Sequence, residues 1–451
     1  MTMKKQINLL RGWPNPSLLP TVAIQTAAQA ALSDPAISTP GLLYGPDPGY
    51  QPLRESISSW LSRFYGNPLQ DGETAADRAE RICITGGASQ NLACALQVFT
   101  DPLYTRAWMV APCYFLACRI FDDSGLKMTA VGEGEEGVDL KALEDGLQAY
   151  ERDVEIAETL KRPKPWSKIY RHVIYLVPTF ANPSGRTMSL TCRMSLVHLA
   201  RKYDALIISD DVYDFLQWPT SSTSQPLTTA ILPRLVDIDR TMEPVPGEDS
   251  YGNAMSNGSF SKISGPGVRT GWAEATPKLA YGLSQCGSSR SGGAPSQLTA
   301  TIIDSLLRSG DLERHIVTEL LPGYKRRYQL MLSAVKRHLV PLGVTVMEDK
   351  IDGKNVFGGY FLWLELPRLV DAEVVSIACQ EREDLIVAFG KMFEVEGDES
   401  IKFSNSLRLC FAWVDEEDLE DGVQKLSRAL RDVMDGKASI KTLKDDMGEF
   451  K

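Results

Sequence analysis

From about residue 80 the chain switches repeatedly between two hydrophobic periods. Short apolar runs (81–85, 107–112, 128–131, 172–178 and 205–211) alternate with stretches whose apolar residues recur every three to four positions (89–99, 114–125 and 189–204). The first pattern predicts buried strands and the second amphipathic helices. Their alternation predicts βαβ units and a mostly parallel central sheet, layered α-β-α. A charged helical stretch is expected over 139–159. Before this region, Leu53, Ile57, Trp60 and Leu61 mark a further amphipathic helix, preceded by the turn cluster Gly45-Pro46-Asp47-Pro48-Gly49. Residues 1–40 read as an arm with one short helix around Thr21–Leu32. From Leu306 the pattern changes to one long helix over 312–339, then strand-like segments at 344–349, 358–366, 385–390 and 406–413, and a last helix over 417–434. The expected division is an arm (1–40), a large α/β domain (41–305) and a smaller α+β domain (306–451), with a frayed tail after Gly436. Residues 219–255, rich in Ser, Thr and Pro and then acidic, read as a surface insertion.

A length of 451 residues suits two domains, and 43 % hydrophobic with 24 % charged residues is ordinary for a globular chain. The net charge of −10 argues against nucleic acid or an anionic membrane as partner. Eight cysteines without a C-x-x-C pair and four histidines without an H-E-x-x-H pattern suggest no metal site. No apolar stretch reaches spanning length and no signal-peptide core precedes Gly12, so the expected compartment is the cytoplasm.

In a parallel sheet, ligands sit beyond the carboxyl ends of the strands. Five predicted strand ends carry chemistry. The first ends in Gly86-Gly87-Ala88-Ser89 and the second leads to Tyr114. Others end in Asn182-Pro183, in Asp210-Asp211-Val212-Tyr213, and in Ser259-Phe260-Ser261-Lys262 with Arg269 following. Gly87, Ala88 and Ser89 at a strand-to-helix turn would point backbone N–H groups at an anion, though a plain tight turn uses the same residues. The spacing is neither that of a nucleoside-triphosphate loop nor that of a dinucleotide loop. Arg269, Ser259 and Ser261 would add phosphate donors. Asp210 is either a helix N-cap or a buried carboxylate awaiting a cation. Lys262 is either a solvated loop lysine or a desolvated amine fit for Schiff-base chemistry. Taken together, these groups suit one flat, phosphorylated pyridine ring, that of pyridoxal phosphate.

The stretches YGPDPGYQPLRESI, TGGASQNL, APCYF, PTFANPSG, SDDVYDFL, SFSKISGPGVRTGW, GGYFLWLELP and SLRLCFAW, in this order, resemble the class I/II aminotransferases, fold-type I pyridoxal-phosphate enzymes, and among them fungal aromatic and 2-aminoadipate aminotransferases. The resemblance implies that Lys262 carries the cofactor as a Schiff base and moves the substrate's α-proton. It implies that Asp210 pairs with the ring nitrogen, and Tyr213 and Asn182 with the ring oxygen. Gly87, Ala88, Ser89, Ser259, Ser261 and Arg269 would bind the phosphate, and Tyr114 would stack on the ring. Arg408 would clamp the substrate's α-carboxylate, with Asn182 and the segment at Gly12 closing over the substrate. Tyr44 would reach the phosphate of a neighbouring subunit, which implies a homodimer. The implied activity is ping-pong amino-group transfer between an L-amino acid and a 2-oxo acid. The same seat also supports elimination, replacement or cyclisation, and a regulator built on an inactive scaffold is a third reading. Asp211 stands where glutamate is more usual, the 219–255 stretch is longer than in compact members, and Arg290 lies where some relatives select the side chain. Trp13, Tyr44 and Phe180 near the expected mouth favour a sizeable side chain, though core packing explains them nearly as well.

Overall fold

The computed structural model describes residues 6–67, 73–153, 159–220, 227–244, 249–293, 295–347, 351 and 353–437. The expected α/β layering is present. An eight-stranded sheet runs in the order Ile82–Thr85, Gly271–Glu274, Ala254–Ser259, Leu206–Asp210, His172–Leu176, Arg106–Ala111, Lys127–Gly134 and Gly137–Val138. The strand Gly271–Glu274 is antiparallel to both neighbours, and the two-residue edge Gly137–Val138 is antiparallel to Lys127–Gly134. The pairings between Ala254–Ser259 and Lys127–Gly134 are all parallel. The central strands His172–Leu176 and Leu206–Asp210 are buried at every position. Helices cover both faces, which is why these strands read as unbroken apolar runs rather than alternating ones.

The helices Ala88–Phe99, Phe115–Asp123 and Leu190–Lys202 fall where the 3.6-residue period predicts them. Of the charged stretch expected over 139–159, Leu140–Asp153 is helical and 154–158 lie outside the described residues. His198 falls on the solvent side of the helix Leu190–Lys202 and is exposed.

The C-terminal part has a second sheet in the order Thr345–Val346, Phe361–Glu365, Ser406–Cys410 and Ala388–Phe389, all antiparallel. Its helices Ala372–Glu383 and Glu416–Met434 pack on one another. The arm joins this part: Ile7–Asn8 pairs in parallel with Leu385–Ile386, and the Cys410 N–H donates to Leu9 O at 2.7 Å. The long helix expected over 312–339 is interrupted by a wide turn at Ile316–Leu320, just before Pro322. The tail expected to fray after Gly436 lies, from residue 438, outside the described residues.

The reading of 219–255 as a surface insertion needs correction. Residues 221–226 and 245–248 lie outside the described residues, but 234–239, 251 and 253–255 are buried. Leu235–Thr241 is a helix with its first five residues buried, and Ala254 already belongs to the central sheet. Arg234 is 2 % exposed and pairs with Asp237 at 2.9 Å and Glu274 at 2.8 Å, beneath the Tyr65 ring. A buried charge needs partners, and these carboxylates supply them. Polar composition alone therefore misplaced the segment at the surface.

Candidate active site

Seven segments line one cavity of about 250 Å³ at the carboxyl ends of the parallel strands: the five predicted strand ends, the arm at 10–13 and the strand that carries Arg408. Gly87 has φ of +102° and precedes the first turn of Ala88–Phe99, where no side chain caps the helix. A Cβ built at Gly87 would lie 2.6 Å from Arg269 Nη2, so only glycine lets the two approach. The first-turn N–H groups lack intrahelical acceptors and attract an anion. Ser259 and Ser261 hydroxyls stand 2.9 Å apart, and Arg269 Nη1 donates to Ser261 Oγ at 3.3 Å. Arg269 itself is left-handed, with φ of +43°, and its Nη2 donates to Gly86 O at 2.9 Å. A non-glycine residue in that region carries strain, which the surrounding hydrogen bonds hold in place. Ala88 and Ser89 line the same cavity.

Asp210 closes the floor. It is buried, accepts from Tyr175 Oη at 2.9 Å, and faces Asn257 Nδ2 at 3.5 Å. Burial raises its carboxyl pKa from 3.8 to about 6. Asn257 is fixed in turn by Asn91, whose Nδ2 donates to Asn257 Oδ1 at 2.7 Å, and by Ala88 O at 3.1 Å. The parallel register sets Asp210 beside Asn257. Strand pairing, not sequence proximity, thus builds this corner.

Lys262 enters from the turn after Ala254–Ser259. Burial lowers its amine from 10.5 to about 8. Its Nζ donates to Gly12 O at 2.8 Å and lies 5.7 Å and 5.1 Å from the Tyr213 and Tyr360 ring centroids. Among the described residues no carboxylate forms an ion pair with it. Tyr213 is buried, and burial holds its phenol well above the usual range.

Arg408 is buried over the rings of Phe361 and Phe393. Its Nη1 donates to Asn182 Oδ1 at 2.7 Å, its Nη2 to Leu10 O, and its Nε has no acceptor among the described residues. Burial lowers its guanidinium to about 10. An orphaned buried N–H beside a cavity asks for an acceptor from a ligand. Tyr114 lines the wall, and burial pushes its phenol up to about 12.

The structure therefore gathers Gly12, Gly87 with its neighbours Ala88 and Ser89, Tyr114, Asn182, Asp210, Tyr213, Ser259, Ser261, Lys262, Arg269 and Arg408 at one place. Tyr44 is not among them: it is 89 % exposed, on a separate open cleft that also reaches Arg269 and Arg290. Arg290 pairs with Asp47 at 3.4 Å there. Of the other aromatics expected at the mouth, Trp13 lines the cavity, while Phe180 is buried in the core against Phe357. Sequence reasoning missed Tyr175, Asn257, Tyr360 and Arg11. Tyr175 and Asn257 sit inside apolar or small-residue strands, and only the strand register reveals that both face Asp210.

These groups test what can occupy the cavity. The uncapped turn, two hydroxyls and Arg269 call for an anion. Asp210, desolvated, feels Lys262 only at a distance and forms no close ion pair among the described residues, so it calls for a cation. Lys262, a buried amine near neutrality, calls for a carbonyl carbon. A phosphorylated pyridine aldehyde presents all three in one molecule.

Residues 5–426 match the model of the family described as aminotransferase class I and II. The chain is 38 % identical over 438 residues to an uncharacterized protein of Saccharomyces cerevisiae, covering 93 % of this chain and 96 % of that one. Among solved structures it is similar to a multiple substrate aminotransferase from Thermococcus profundus, with a TM-score of 0.76, 27 % identity, and coverage of 96 % and 93 %. It is also similar to the alpha-aminoadipate aminotransferase LysN from Thermus thermophilus, solved with N-(5'-phosphopyridoxyl)-L-leucine, with a TM-score of 0.72, 28 % identity, and coverage of 96 % and 94 %.

Proposed function

Because this chain belongs to the class I and II aminotransferases, we propose that it moves an amino group between an L-amino acid, aromatic or 2-aminoadipate-like, and a 2-oxo acid, in two half-reactions at one site. It is a pyridoxal-phosphate-dependent transaminase. When bound, that cofactor supplies a protonated ring that draws electrons from the substrate's α-carbon.

The residues fit the group. Asp210 would hold the ring nitrogen as a cation, which satisfies its own buried charge. Tyr213 and Asn182 would face the ring oxygen, and Tyr114 the ring's flat side. Gly87, Ala88, Ser89, Ser259, Ser261 and Arg269 would hold the phosphate. Arg408 would receive the substrate's α-carboxylate on its unpartnered Nε–H and, by displacing Leu10 O, on its Nη2–H. Lys262 does the proton work: with its pKa near 8, a useful fraction is neutral at physiological pH and takes the proton from the α-carbon. Once charged, it can return that proton nearby, because Gly12 O at 2.8 Å keeps the ammonium hydrogen-bonded. The observation that carries the reading is the placement of this one titratable amine in the same cavity as Asp210 and Arg408.

A panel of amino acids tested with 2-oxoglutarate and followed by mass spectrometry tests it. The expected products are glutamate and the matching 2-oxo acid. Release of ammonia, or a substituted amino acid, without glutamate would overturn transamination in favour of elimination or replacement.

We further read the chain as a homodimer with shared sites. Leu42, Leu43 and Tyr44 are 68 %, 65 % and 89 % exposed in succession, an apolar rim that a second copy would cover. Tyr44 would reach the phosphate in the partner's site. Light scattering checks this, with a dimer mass expected; a monomer at micromolar concentration would refute it.

A further inference from the structure

Four cations line the cavity, Arg11, Lys262, Arg269 and Arg408, against one carboxylate, Asp210. Such an excess in a chain of net charge −10 marks a site built for anions. Three of the cations have assignments above, and Arg11 has none. Its guanidinium carbon lies 5.0 Å from the Trp13 ring centroid and 5.8 Å from that of Trp413. Those rings meet edge-to-face at 5.4 Å and 80°, so they form a corner that holds the guanidinium. Aromatic faces attract the cation without using its in-plane N–H groups. Among the described residues no carboxylate or carbonyl accepts from those N–H groups. By contrast, Arg408 donates to Asn182 and Leu10, and Arg269 to Ser261, Pro266 and Gly86.

The backbone around Arg11 is fixed. Leu10 O accepts from Arg408 and Gly12 O from Lys262, so Arg11 is held between the two groups assigned to the substrate's α-carbon and α-carboxylate. A substrate held by its α-carboxylate directs its far end to some other part of the wall. Arg11, half-buried and still able to donate two parallel hydrogen bonds, suits a second carboxylate there.

We infer that Arg11 determines side-chain specificity: it receives the distal carboxylate of a dicarboxylic amino acid or 2-oxo acid whose α-carboxylate is held by Arg408. This rests on the transaminase reading. Trp13 and Trp413 position Arg11, and their apolar surface leaves the same mouth compatible with an aromatic side chain in the other half-reaction.

The test compares 2-oxoglutarate with 2-oxopentanoate, of equal chain length but lacking the second carboxylate, against one fixed amino donor. With full-length holoenzyme, Arg11→Gln lowers the ratio of kcat/KM for the two acceptors by about 10- to 100-fold, the worth of a charge-assisted pair. Arg11→Lys, which keeps the charge but loses the fork, falls between. A ratio within threefold of wild type in Arg11→Gln overturns the assignment. A second arm needs no turnover: glutarate and pentanoate are titrated into wild-type and variant holoenzyme by calorimetry. Wild type should bind glutarate at least about tenfold more tightly, and Arg11→Gln should erase that preference. Should no donor and acceptor react at all, the transaminase reading fails, while this arm still decides on Arg11. Should Arg11→Gln not fold, as judged by circular dichroism, equal wild-type affinity for glutarate and pentanoate overturns the assignment, as does a glutarate preference unchanged in Arg11→Lys, while a preference reduced in Arg11→Lys supports it.

Discussion

Asp210→Asn should make the cofactor-free protein more stable and the enzyme worse. In the folded, cofactor-free protein burial raises the Asp210 carboxyl from 3.8 to about 6. The folded state therefore keeps its proton to higher pH than the unfolded chain does. The stability this group contributes is fully present below about pH 4 and is lost as pH rises through about 6. A difference of about two pH units corresponds to about 3 kcal/mol at pH 7.5. Asparagine removes the buried charge, but its amide accepts from only one of Tyr175 and Asn257, which costs about 1 kcal/mol. The net expectation is a gain of about 2 kcal/mol at pH 7.5. Between pH 5 and pH 7.5 the difference between variant and wild type should widen by about 1.5 kcal/mol. Denaturant unfolding of both cofactor-free proteins at the two pH values measures this, since subtracting the curves cancels every group they share. Turnover of the loaded variant should fall about 100-fold, as the ring nitrogen loses an anion worth about 3 kcal/mol. A variant no more stable than wild type at pH 7.5, or a difference independent of pH, would refute the account of Asp210 as a desolvated charge awaiting a cation.

Three more substitutions address the other groups. Lys262→Ala should abolish turnover and, after borohydride reduction, the covalent cofactor adduct in the intact mass; survival of both removes Lys262 from its role. In wild type, cofactor attachment should quicken about tenfold per pH unit up to about pH 8 and then level off, because only the neutral amine attacks. Arg408→Ala should raise the KM for amino acids by about 10- to 100-fold, the loss of a charge-assisted clamp; steady-state kinetics checks it, and an unchanged KM would place the α-carboxylate elsewhere. Gly87→Ala, at φ of +102° and 2.6 Å from Arg269 Nη2, should cost about 1–2 kcal/mol of stability and weaken cofactor binding about tenfold; equilibrium dialysis against pyridoxal phosphate measures the second effect.

The layered fold was legible because buried parallel strands write themselves as apolar runs with chemistry at their ends. The groups that end those runs, Ser89, Asn182, Asp210 and Lys262, were legible for the same reason, and the structure brings them to one cavity. Tyr175 and Asn257 were not, because a residue within a run shows its direction only once its neighbours' register is known. Arg11 hid in an arm whose pairing with Leu385–Ile386 spans most of the chain's length. The 219–255 stretch misled because its Arg234 and Asp237 pair inside the core, with Glu274 from a neighbouring strand, whereas composition counts them as surface charges. Phe180 misled in the opposite way: an aromatic residue near a strand end serves packing as readily as binding.

The arm that lends Leu10 O to Arg408 and Gly12 O to Lys262 acts as a tethered stand-in for substrate. Two backbone oxygens occupy donors that an incoming amino acid must claim, so the chain carries its own weak competitor. Tethering gives that competitor a high local concentration that no dilution removes. Measured affinities for small acids are therefore exchange values, set against the arm rather than against water. Loosening the pairing of Ile7–Asn8 with Leu385–Ile386 would shift the affinities of monocarboxylic acids together, without touching a residue that meets the cofactor.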